Sequence, residues 1–256
     1  MLLAVDVGNT NLTVGVFEGE TLRAHGRFAT RRDATADELG HQLRAFLHQR
    51  ELPAGVDRMA VSCVVPALSR PFQEAAQVYF GVVAHVVGPG TRTGMRIQYD
   101  PPRDVGADRI VTAVGVLHRY GGPAIIIDFG TATTFDAIDA RGDYLGGAIA
   151  PGLQVSVDAL FAHAARLPRV ELEAPDTVLG RTTVTSMQAG VVWGTVGQVE
   201  GLVARMRAEM EGTPMVIATG GLAELIAPLT TCVDRVDPWI TLEGLRLIAD
   251  QNPQPR

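Results

Sequence analysis

Two short segments of the chain combine a carboxylate, a glycine and hydroxyl or amide side chains directly after an apolar run. The first is Asp6-Val7-Gly8-Asn9-Thr10 and the second is Asp128-Phe129-Gly130-Thr131-Ala132-Thr133. Glycine lets a backbone approach a phosphate closely, while N–H groups and hydroxyls donate to its oxygens and a carboxylate can hold a cation beside it. Both segments therefore predict phosphate-binding turns.

Either segment alone is typical of an ordinary hairpin turn, in which Asp, Gly, Asn and Thr are common for local backbone reasons. The pair is more informative because both copies have Asp-x-Gly after apolar residues and both continue into a second apolar run. Their aspartates lie 128 − 6 = 122 positions apart in a chain of 256 residues. This repetition predicts two related domains, 1–117 and 118–256, with a cleft between them.

Strands and helices must position the two turns, and the hydrophobic pattern predicts where they lie. Strands are expected near 2–6, 11–17, 21–29, 58–64, 82–87, 124–128, 214–218 and 232–236. Helices are expected near 36–50, 67–79, 183–210 and 240–250. One further helix is expected to end near 118, and another is expected to begin near 153. The glycine-rich segment 146–152 is expected to be a hinge, a loop or the exit of a hairpin. Alternating strands and helices with hairpins predict an α/β fold of mixed sheets flanked by helices.

Composition narrows the classes of function. The chain is 46% apolar and 20% charged, as in ordinary globular proteins, and its net charge of −6 gives no basic surface for nucleic acid. The start, Met1 to Asp6, lacks a basic segment, so neither a signal peptide nor a membrane span is expected, and a cytoplasmic location follows. Cys63 and Cys232 lie in apolar runs, which favours reduced, buried thiols.

Four glycines recur within the long helix predicted over 183–210. Gly190, Gly194, Gly197 and Gly201 are spaced by four, three and four positions. Each costs about 1 kcal/mol relative to alanine in a helix interior, so close packing of another backbone is the expected compensation. That backbone belongs either to a second subunit of a homodimer or to the same chain, and the sequence favours neither.

Five motifs, in this order, resemble those of the type III pantothenate kinases. They are Asp6-Val7-Gly8-Asn9-Thr10, Gly106-Ala107-Asp108-Arg109, Asp128 to Thr134, Gly146 to Gly152, and Ala218-Thr219-Gly220-Gly221. Asp-x-Gly-x-Thr alone would indicate only the wider superfamily of sugar and acetate kinases, heat-shock ATPases and actin. The second and third motifs are specific to a much smaller group of proteins. The resemblance implies the superfamily's fold, a duplicated ribonuclease-H-like (actin-like ATPase) domain.

The resemblance also implies an activity, the ATP-dependent phosphorylation of pantothenate to 4′-phosphopantothenate at the first step of coenzyme A synthesis. Its ATP-binding residues here would be Asp6, Val7, Gly8, Asn9, Thr10, Asn11, Leu12, Thr13 and Thr131. Asp6 is expected near Mg²⁺. Asp128 resembles the family's ligand for a monovalent cation, K⁺ or ammonium, although the sequence cannot separate K⁺ from Mg²⁺ at this position. Gly220-Gly221 resembles the superfamily's adenosine motif.

Asp108 is the candidate general base, which would accept the proton of the attacking hydroxyl. Spacing alone favours a different interpretation, a carboxylate in the first turn of a helix, where the helix dipole stabilises it. The match to the family reverses that preference. The substrate-binding residues implied by the family are Tyr99, Gly106, Ala107, Asp108, Arg109 and Thr183. Thr182 departs from the family pattern, which usually has Asn at this position.

Three alternatives stay open. Another small-molecule kinase or a phosphatase of the superfamily could use the same two turns. Some close relatives are known as the Bvg accessory factor and are linked to transcription, but the intact Asp6, Asp108, Arg109 and Asp128 argue against a degenerate enzyme. The third alternative, an actin-like filament protein, is weakened by the small size of the chain.

Overall fold

The computed structural model describes residues 1–53, 55–164 and 167–253. These residues form ten strands, β1 (Leu2–Val7), β2 (Asn11–Glu18), β3 (Thr21–Ala29), β4 (Arg58–Cys63), β5 (Ala84–Val86), β6 (Ala124–Phe129), β7 (Ala132–Ile138), β8 (Tyr144–Pro151), β9 (Met215–Thr219) and β10 (Arg235–Val236). They also form seven α-helices, α1 (Ala36–Gln49), α2 (Pro66–Ala75), α3 (Ala107–Tyr120), α4 (Leu153–His163), α5 (Thr183–Glu209), α6 (Ala223–Ile226) and α7 (Ile240–Gln251).

The strands form two mixed sheets with the same topology. The first sheet has the order β3-β2-β1-β4-β5, and the second has the order β8-β7-β6-β9-β10. In each sheet the middle strand pairs antiparallel with the next strand of its hairpin and parallel with the strand on its other side. The matching strand orders confirm the predicted duplicated α/β fold.

The chain divides into two compact units. One contains Met1–Met95, Tyr99–His118 and the described residues from Trp239 onward, and the other contains Arg96–Gln98 and Arg119–Pro238. Helix α7 follows the second sheet in sequence but packs on the first, against β1, β2 and β4. The division into 1–117 and 118–256 describes the two sequence repeats, and it stays a prediction.

Three expectations about local structure were wrong in part. Of the alternatives for the segment 146–152, the hinge and the loop are wrong and the exit of a hairpin is confirmed, because residues 146–151 belong to β8, the second strand of the β7–β8 hairpin. Glycine is required inside this strand because a Cβ on Gly147 would overlap the carbonyl oxygen of Phe135 on the neighbouring strand. The strand expected over 232–236 is only Arg235–Val236, so Cys232 lies in the bend before it. Cys63 and Cys232 are both free thiols, and they are half-buried rather than buried.

Strand alternation decides which face carries the two motif aspartates. Leu3, Val5 and Val7 of β1 belong to the core of the first unit, together with residues of α1 and α2. Ile127 and Phe129 of β6 belong in the same way to the core of the second unit. Successive side chains of a strand point to opposite faces, so the aspartate between each pair of core residues points away from that core.

Helices α3 and α7 cross at a pair of glycines within the first unit. A Cβ on Gly244 would overlap the carbonyl oxygen of Val111, and one on Gly115 would overlap that of Ile240. Close to this crossing, the hydroxyl oxygens of Thr112 and Thr241 lie 2.8 Å apart. The absence of side chains at the two glycines therefore fixes the position of α3, the helix that carries Asp108.

We expect Gly244→Ala to lower the free energy of unfolding by about 1–3 kcal/mol, the usual cost of extra volume in a packed interior. Urea denaturation followed by circular dichroism measures this loss. Gly88→Ala is the matched control, because nothing lies within 4 Å of a Cβ at Gly88. Equal stabilities of the two variants would contradict the backbone contact.

Candidate functional site

Asp6 lies near the carboxyl end of β1, in the middle of the first sheet. Its register partners are Thr13 on β2 and Ser62 on β4. Asp6 is half-buried, whereas Ser62 is fully buried and its hydroxyl has no hydrogen-bond partner among the residues that the structure describes. A carboxylate is thus flanked by hydroxyl residues on both neighbouring strands.

The turn after Asp6 is tight and exposes its polar side chains. The backbone N–H of Gly8 donates to the carbonyl of Asn11 at 3.0 Å, and a Cβ on Gly8 would lie 3.0 Å from the same oxygen. The three residues that follow Gly8 are exposed, whereas Val7 and Leu12 on either side pair with each other and are buried. The buried residues on either side therefore anchor an exposed turn tip, whose side chains carry two amides and one hydroxyl.

A second segment, residues 30–32 after β3, contacts this turn. Thr30 donates from its backbone N–H to the carbonyl of Thr10 at 2.9 Å and from its hydroxyl to the carbonyl of Gly8 at 2.7 Å. Arg32 donates from Nη2 to Oδ1 of Asn9 at 3.2 Å. Neither Thr30 nor Arg32 was among the predicted site residues. The only sequence signal was the adjacent pair of arginines after β3.

Asp128 occupies the equivalent position on β6 of the second sheet. Its register partners are Thr134 on β7 and Thr219 on β9. Gly220, which follows Thr219, has a φ of +92°, and a Cβ there would overlap Oδ1 of Asp128. The bare backbone of a glycine therefore lies directly against this carboxylate.

The two turns are similar but not equivalent. Asp6 pairs with Thr13, seven positions further on, whereas Asp128 pairs with Thr134, only six positions further on. The second turn closes by a hydrogen bond from the N–H of Gly130 to the carbonyl of Ala132 at 3.0 Å. Thr131 at its tip is exposed. The shorter second turn leaves room for fewer donors than the first.

Asp108 lies in the first turn of α3, as the interpretation from spacing predicted. Its Oδ1 accepts a hydrogen bond from the N–H of Arg109 at 2.8 Å, and it would lie 2.5 Å from a Cβ on Gly106. Glycine at position 106 therefore leaves space for this carboxylate. First-turn placement does not conflict with a catalytic role, and that role stays a prediction.

The beginning of α3 lies close to the end of β1. A Cβ on Gly106 would be 3.9 Å from Cγ1 of Val64, and the N–H of Val64 donates to the carbonyl of Val7 at 3.1 Å. The Gly106 to Arg109 segment is thus placed beside the first turn, within one unit. Arg109 is 9% exposed, and Tyr99 is half-buried in the bend before Pro101.

Thr183 is the first residue of α5, in the second unit, and Thr182 is its N-cap. The hydroxyl of Thr182 accepts from the N–H of Thr185 at 3.1 Å, and the N–H of Thr182 donates to the hydroxyl of Thr185 at 3.0 Å. Asn and Thr both cap helices well, so Thr182 preserves the capping function at the position where the chain departs from the family pattern.

A cavity of about 980 Å³ runs along α5, and Pro151, Thr183, Gly190 and Gly194 are among its lining residues. Within the described chain, no atom outside the helix lies within 4 Å of a Cβ built on Gly190, Gly194 or Gly197. Close packing against the residues that the structure describes, one of the two explanations for these glycines, is therefore wrong at these three positions.

Metal binding would depend on single carboxylates. Among the described residues, no three His, Cys, Asp or Glu side chains form a group that could hold a metal ion. Mg²⁺ in phosphotransferases is commonly bound by one or two carboxylates together with substrate phosphates and water, so one aspartate suffices. No helix in the described ranges is long and apolar enough to cross a membrane.

The two sheets define a protein of the actin-like ATPase fold, and solved structures align with nearly the whole chain. A Sinorhizobium meliloti protein assigned as a 2-dehydro-3-deoxygalactonokinase gives a TM-score of 0.64 at 14% identity, covering 100% of this chain and 98% of its own. A Campylobacter jejuni protein assigned to the Baf family of transcriptional activators gives 0.62 at 19% identity, with 98% of each chain covered. Identities this low establish the fold alone.

Sequence comparison gives the family. The family model for type III pantothenate kinase matches residues 2–205. The type III pantothenate kinase of Moorella thermoacetica is 53% identical over 98% of this chain and 100% of its own length. The chain belongs to the type III pantothenate kinase family, which confirms the resemblance seen in its motifs.

We expect Gly220→Ala to lower kinase activity by about tenfold or more, equivalent to roughly 1.4 kcal/mol, because the added methyl group would overlap Oδ1 of Asp128 and the backbone of Phe129 and so displace the carboxylate. A coupled assay of ATP consumption measures this. Gly212→Ala is the matched control, since Gly212 also has a positive φ, +81°, but its Cβ would meet only Cγ of Pro123 at 3.4 Å. Equal losses of activity in both variants would point to backbone strain instead.

Proposed function

We propose that this chain transfers the terminal phosphoryl group of ATP to the primary hydroxyl of pantothenate, yielding 4′-phosphopantothenate. One observation carries the proposal beyond family membership. The segment with Asp108 and Arg109 begins beside the end of β1, the strand that carries Asp6. A candidate base and a candidate phosphate-binding turn thus lie at the same edge of one unit.

The first turn supplies the ATP-binding groups in this proposal. Phosphoryl transfer depends mainly on positioning and on neutralising charge, which backbone N–H groups, amides and hydroxyls can provide. The exposed tip from Asn9 to Asn11 presents such donors, and Thr13 lies beside Asp6. Thr131 lies at the exposed tip of the second turn, in the other unit, and its contact with ATP stays a prediction.

The surroundings of Asp6 fit Mg²⁺. The ion prefers oxygen ligands and keeps several waters, which need hydrogen-bond acceptors and donors around them. The hydroxyl of Ser62 is buried without a partner among the described residues, in register with Asp6, and so it is placed to serve such a water. When bound, Mg²⁺ would neutralise charge on the transferring phosphate.

The surroundings of Asp128 fit a monovalent cation such as K⁺ or ammonium. Oδ1 of Asp128 lies in the space that a Cβ on Gly220 would fill, so glycine at position 220 lets the carboxylate keep its position in the site. Thr219 and Thr134 flank it in register. When bound, the cation would add positive charge where ATP carries negative charge.

Pantothenate is assigned to Tyr99 and to the segment Gly106 to Arg109, which belong to the same unit. Asp108 would accept the proton of the attacking hydroxyl as the new P–O bond forms and the bond to ADP breaks. Arg109 carries the guanidinium that can pair with the pantothenate carboxylate. Thr183 belongs to the other unit, where it lines the cavity along α5, and its contact with pantothenate stays a prediction.

The experiment that tests this function is the detection of 4′-phosphopantothenate by mass spectrometry after incubation with ATP, Mg²⁺ and pantothenate. A panel of other hydroxylated acids serves as the control for acceptor choice. Parallel reactions with and without K⁺ or ammonium test the monovalent cation. Phosphorylation of another acceptor in preference to pantothenate would overturn the proposal.

We expect Asp108→Asn to reduce kcat by about 10²–10⁴-fold, the usual contribution of a positioned general base. ATP binding and the urea midpoint should change little, because the amide can still accept the hydrogen bond from Arg109. Asp104→Asn is the control, since Asp104 is an exposed carboxylate four residues earlier. Near-normal turnover by Asp108→Asn would refute the role of Asp108 as the base.

We also propose a homodimer formed through the open face of α5. The glycines at 190, 194 and 197 leave space along this face, and Val178, Leu179 and Val184 expose 62%, 85% and 41% of their surface. Glycine at these spacings permits close approach of a second backbone, and exposed apolar side chains favour association. A second copy of the chain supplies both the second backbone and the apolar side chains that would pack against this face.

We expect Gly194→Leu to dissociate this dimer, because a bulky side chain would fill the space along α5. Light scattering coupled to size-exclusion chromatography measures the mass. Gly55→Leu is the control, because nothing lies within 4 Å of a Cβ at Gly55 either and this glycine lies in the other unit. A monomeric unmodified protein would contradict the dimer.

The proposed setting is the cytoplasm, where ATP is available. The free thiols of Cys63 and Cys232 fit a reducing compartment. The net charge of −6 supports small-molecule substrates rather than nucleic acid as partners.

A further inference from the structure

Two adjacent arginines follow β3, and their surroundings differ. Nη2 of Arg31 lies 3.2 Å from Oε1 of Glu38, and its Nε lies 3.8 Å from Oδ1 of Asp33. Hydrogen bonds from the backbone and the hydroxyl of Thr35, together with the charge of Arg31, lower the pKa of Glu38. Glu38 therefore remains a carboxylate at neutral pH, and Arg31 remains paired.

Arg32 has a different partner. Its Nη2 donates to Oδ1 of Asn9 at 3.2 Å, and no carboxylate within the described ranges lies at salt-bridge distance from it. The partner is a neutral amide at the exposed tip of the first turn. A guanidinium forms strong, frequently bidentate charge-assisted pairs with carboxylate or phosphate oxygens, and a neutral amide oxygen lacks the opposing charge, so an anion at this tip would be the preferred partner.

The backbone keeps Arg32 beside the turn. Thr30, two residues earlier, binds the carbonyls of Gly8 and Thr10, which lie on either side of Asn9. The pairing of Ala29 with Asn11 in the β2–β3 hairpin fixes the same segment from the other direction. The guanidinium therefore stays within reach of the turn even when its own hydrogen bond to Asn9 breaks.

The first turn has no cation of its own. Residues 7–13 are Val, Gly, Asn, Thr, Asn, Leu and Thr, all uncharged. Other phosphotransferases place a lysine or arginine on the transferring phosphate, because negative charge must be neutralised as the bond to the leaving group breaks. Arg32 is a cation that contacts the tip of this turn and has no opposing charge.

We propose that Arg32 exchanges its hydrogen bond to Asn9 for one to the terminal phosphate oxygens of ATP and stabilises their charge during transfer. The guanidinium forms no covalent bond, and its proton inventory does not change. The inference rests on the proposed function in one respect, that the first turn binds the phosphates of ATP. It does not depend on which hydroxyl accepts the phosphoryl group.

The test compares Arg32→Ala, Arg32→Lys and the control Arg31→Ala. We expect Arg32→Ala to lower kcat by about 10²-fold, as removal of one charge-stabilising donor does in other enzymes. Its affinity for a fluorescent ATP analogue should fall while that for the corresponding AMP analogue stays unchanged, since AMP lacks the terminal phosphates. Arg32→Lys should recover part of the rate, and Arg31→Ala should leave both affinities and kcat near those of the unmodified protein.

Equal behaviour of Arg31→Ala and Arg32→Ala would overturn the inference, as would parallel losses of ATP and AMP affinity. The design also separates this inference from the proposed function. If the unmodified protein makes phosphopantothenate and Arg32→Ala is as active, only the role of Arg32 fails. If Arg32-dependent preference for ATP over AMP is present but no phosphopantothenate forms, the role of Arg32 stands and the proposed acceptor fails.

Discussion

The alternation of side chains along two middle strands is the constraint on which the candidate site depends. Val5 and Val7 lie in the core of the first unit, so Asp6 between them must point to the opposite face. Ile127 and Phe129 impose the same orientation on Asp128. A shift of one residue in either strand would bury a carboxylate in an apolar core, at a cost that fixes the register firmly.

The same constraint has two different outcomes in the two sheets. Beside Asp6 the neighbouring strand offers the hydroxyl of Ser62, and the following turn is longer. Beside Asp128 the backbone of Gly220 comes close, and the turn is shorter by one residue. Duplication thus explains the sheet topology, whereas these local differences support separate roles for the two aspartates in the proposed reaction.

Local patterns in the sequence predicted the elements and the motif turns well. The Asp-x-Gly repeats at Asp6 and Asp128 predicted the duplicated topology, because turn chemistry and strand alternation are local properties. The features that the sequence left open depend on tertiary contacts. The glycines of β8 were compatible with a hinge, a loop or a hairpin exit, and only the neighbouring carbonyl of Phe135 explains Gly147. The packing of α7 on the first sheet left no signal in its own pattern. Arg32 became a site residue only through its contact with Asn9.

The two copies of one motif are proposed to serve different cations, and the cation dependence of two variants tests this assignment most directly. Initial rates of phosphopantothenate formation would be measured for Asp6→Asn and Asp128→Asn while Mg²⁺ and K⁺ are varied independently. The account predicts that Asp6→Asn raises the Mg²⁺ concentration required and retains activation by K⁺. It predicts that Asp128→Asn loses activation by K⁺ and keeps its Mg²⁺ requirement. The same change in cation dependence for both variants would contradict it.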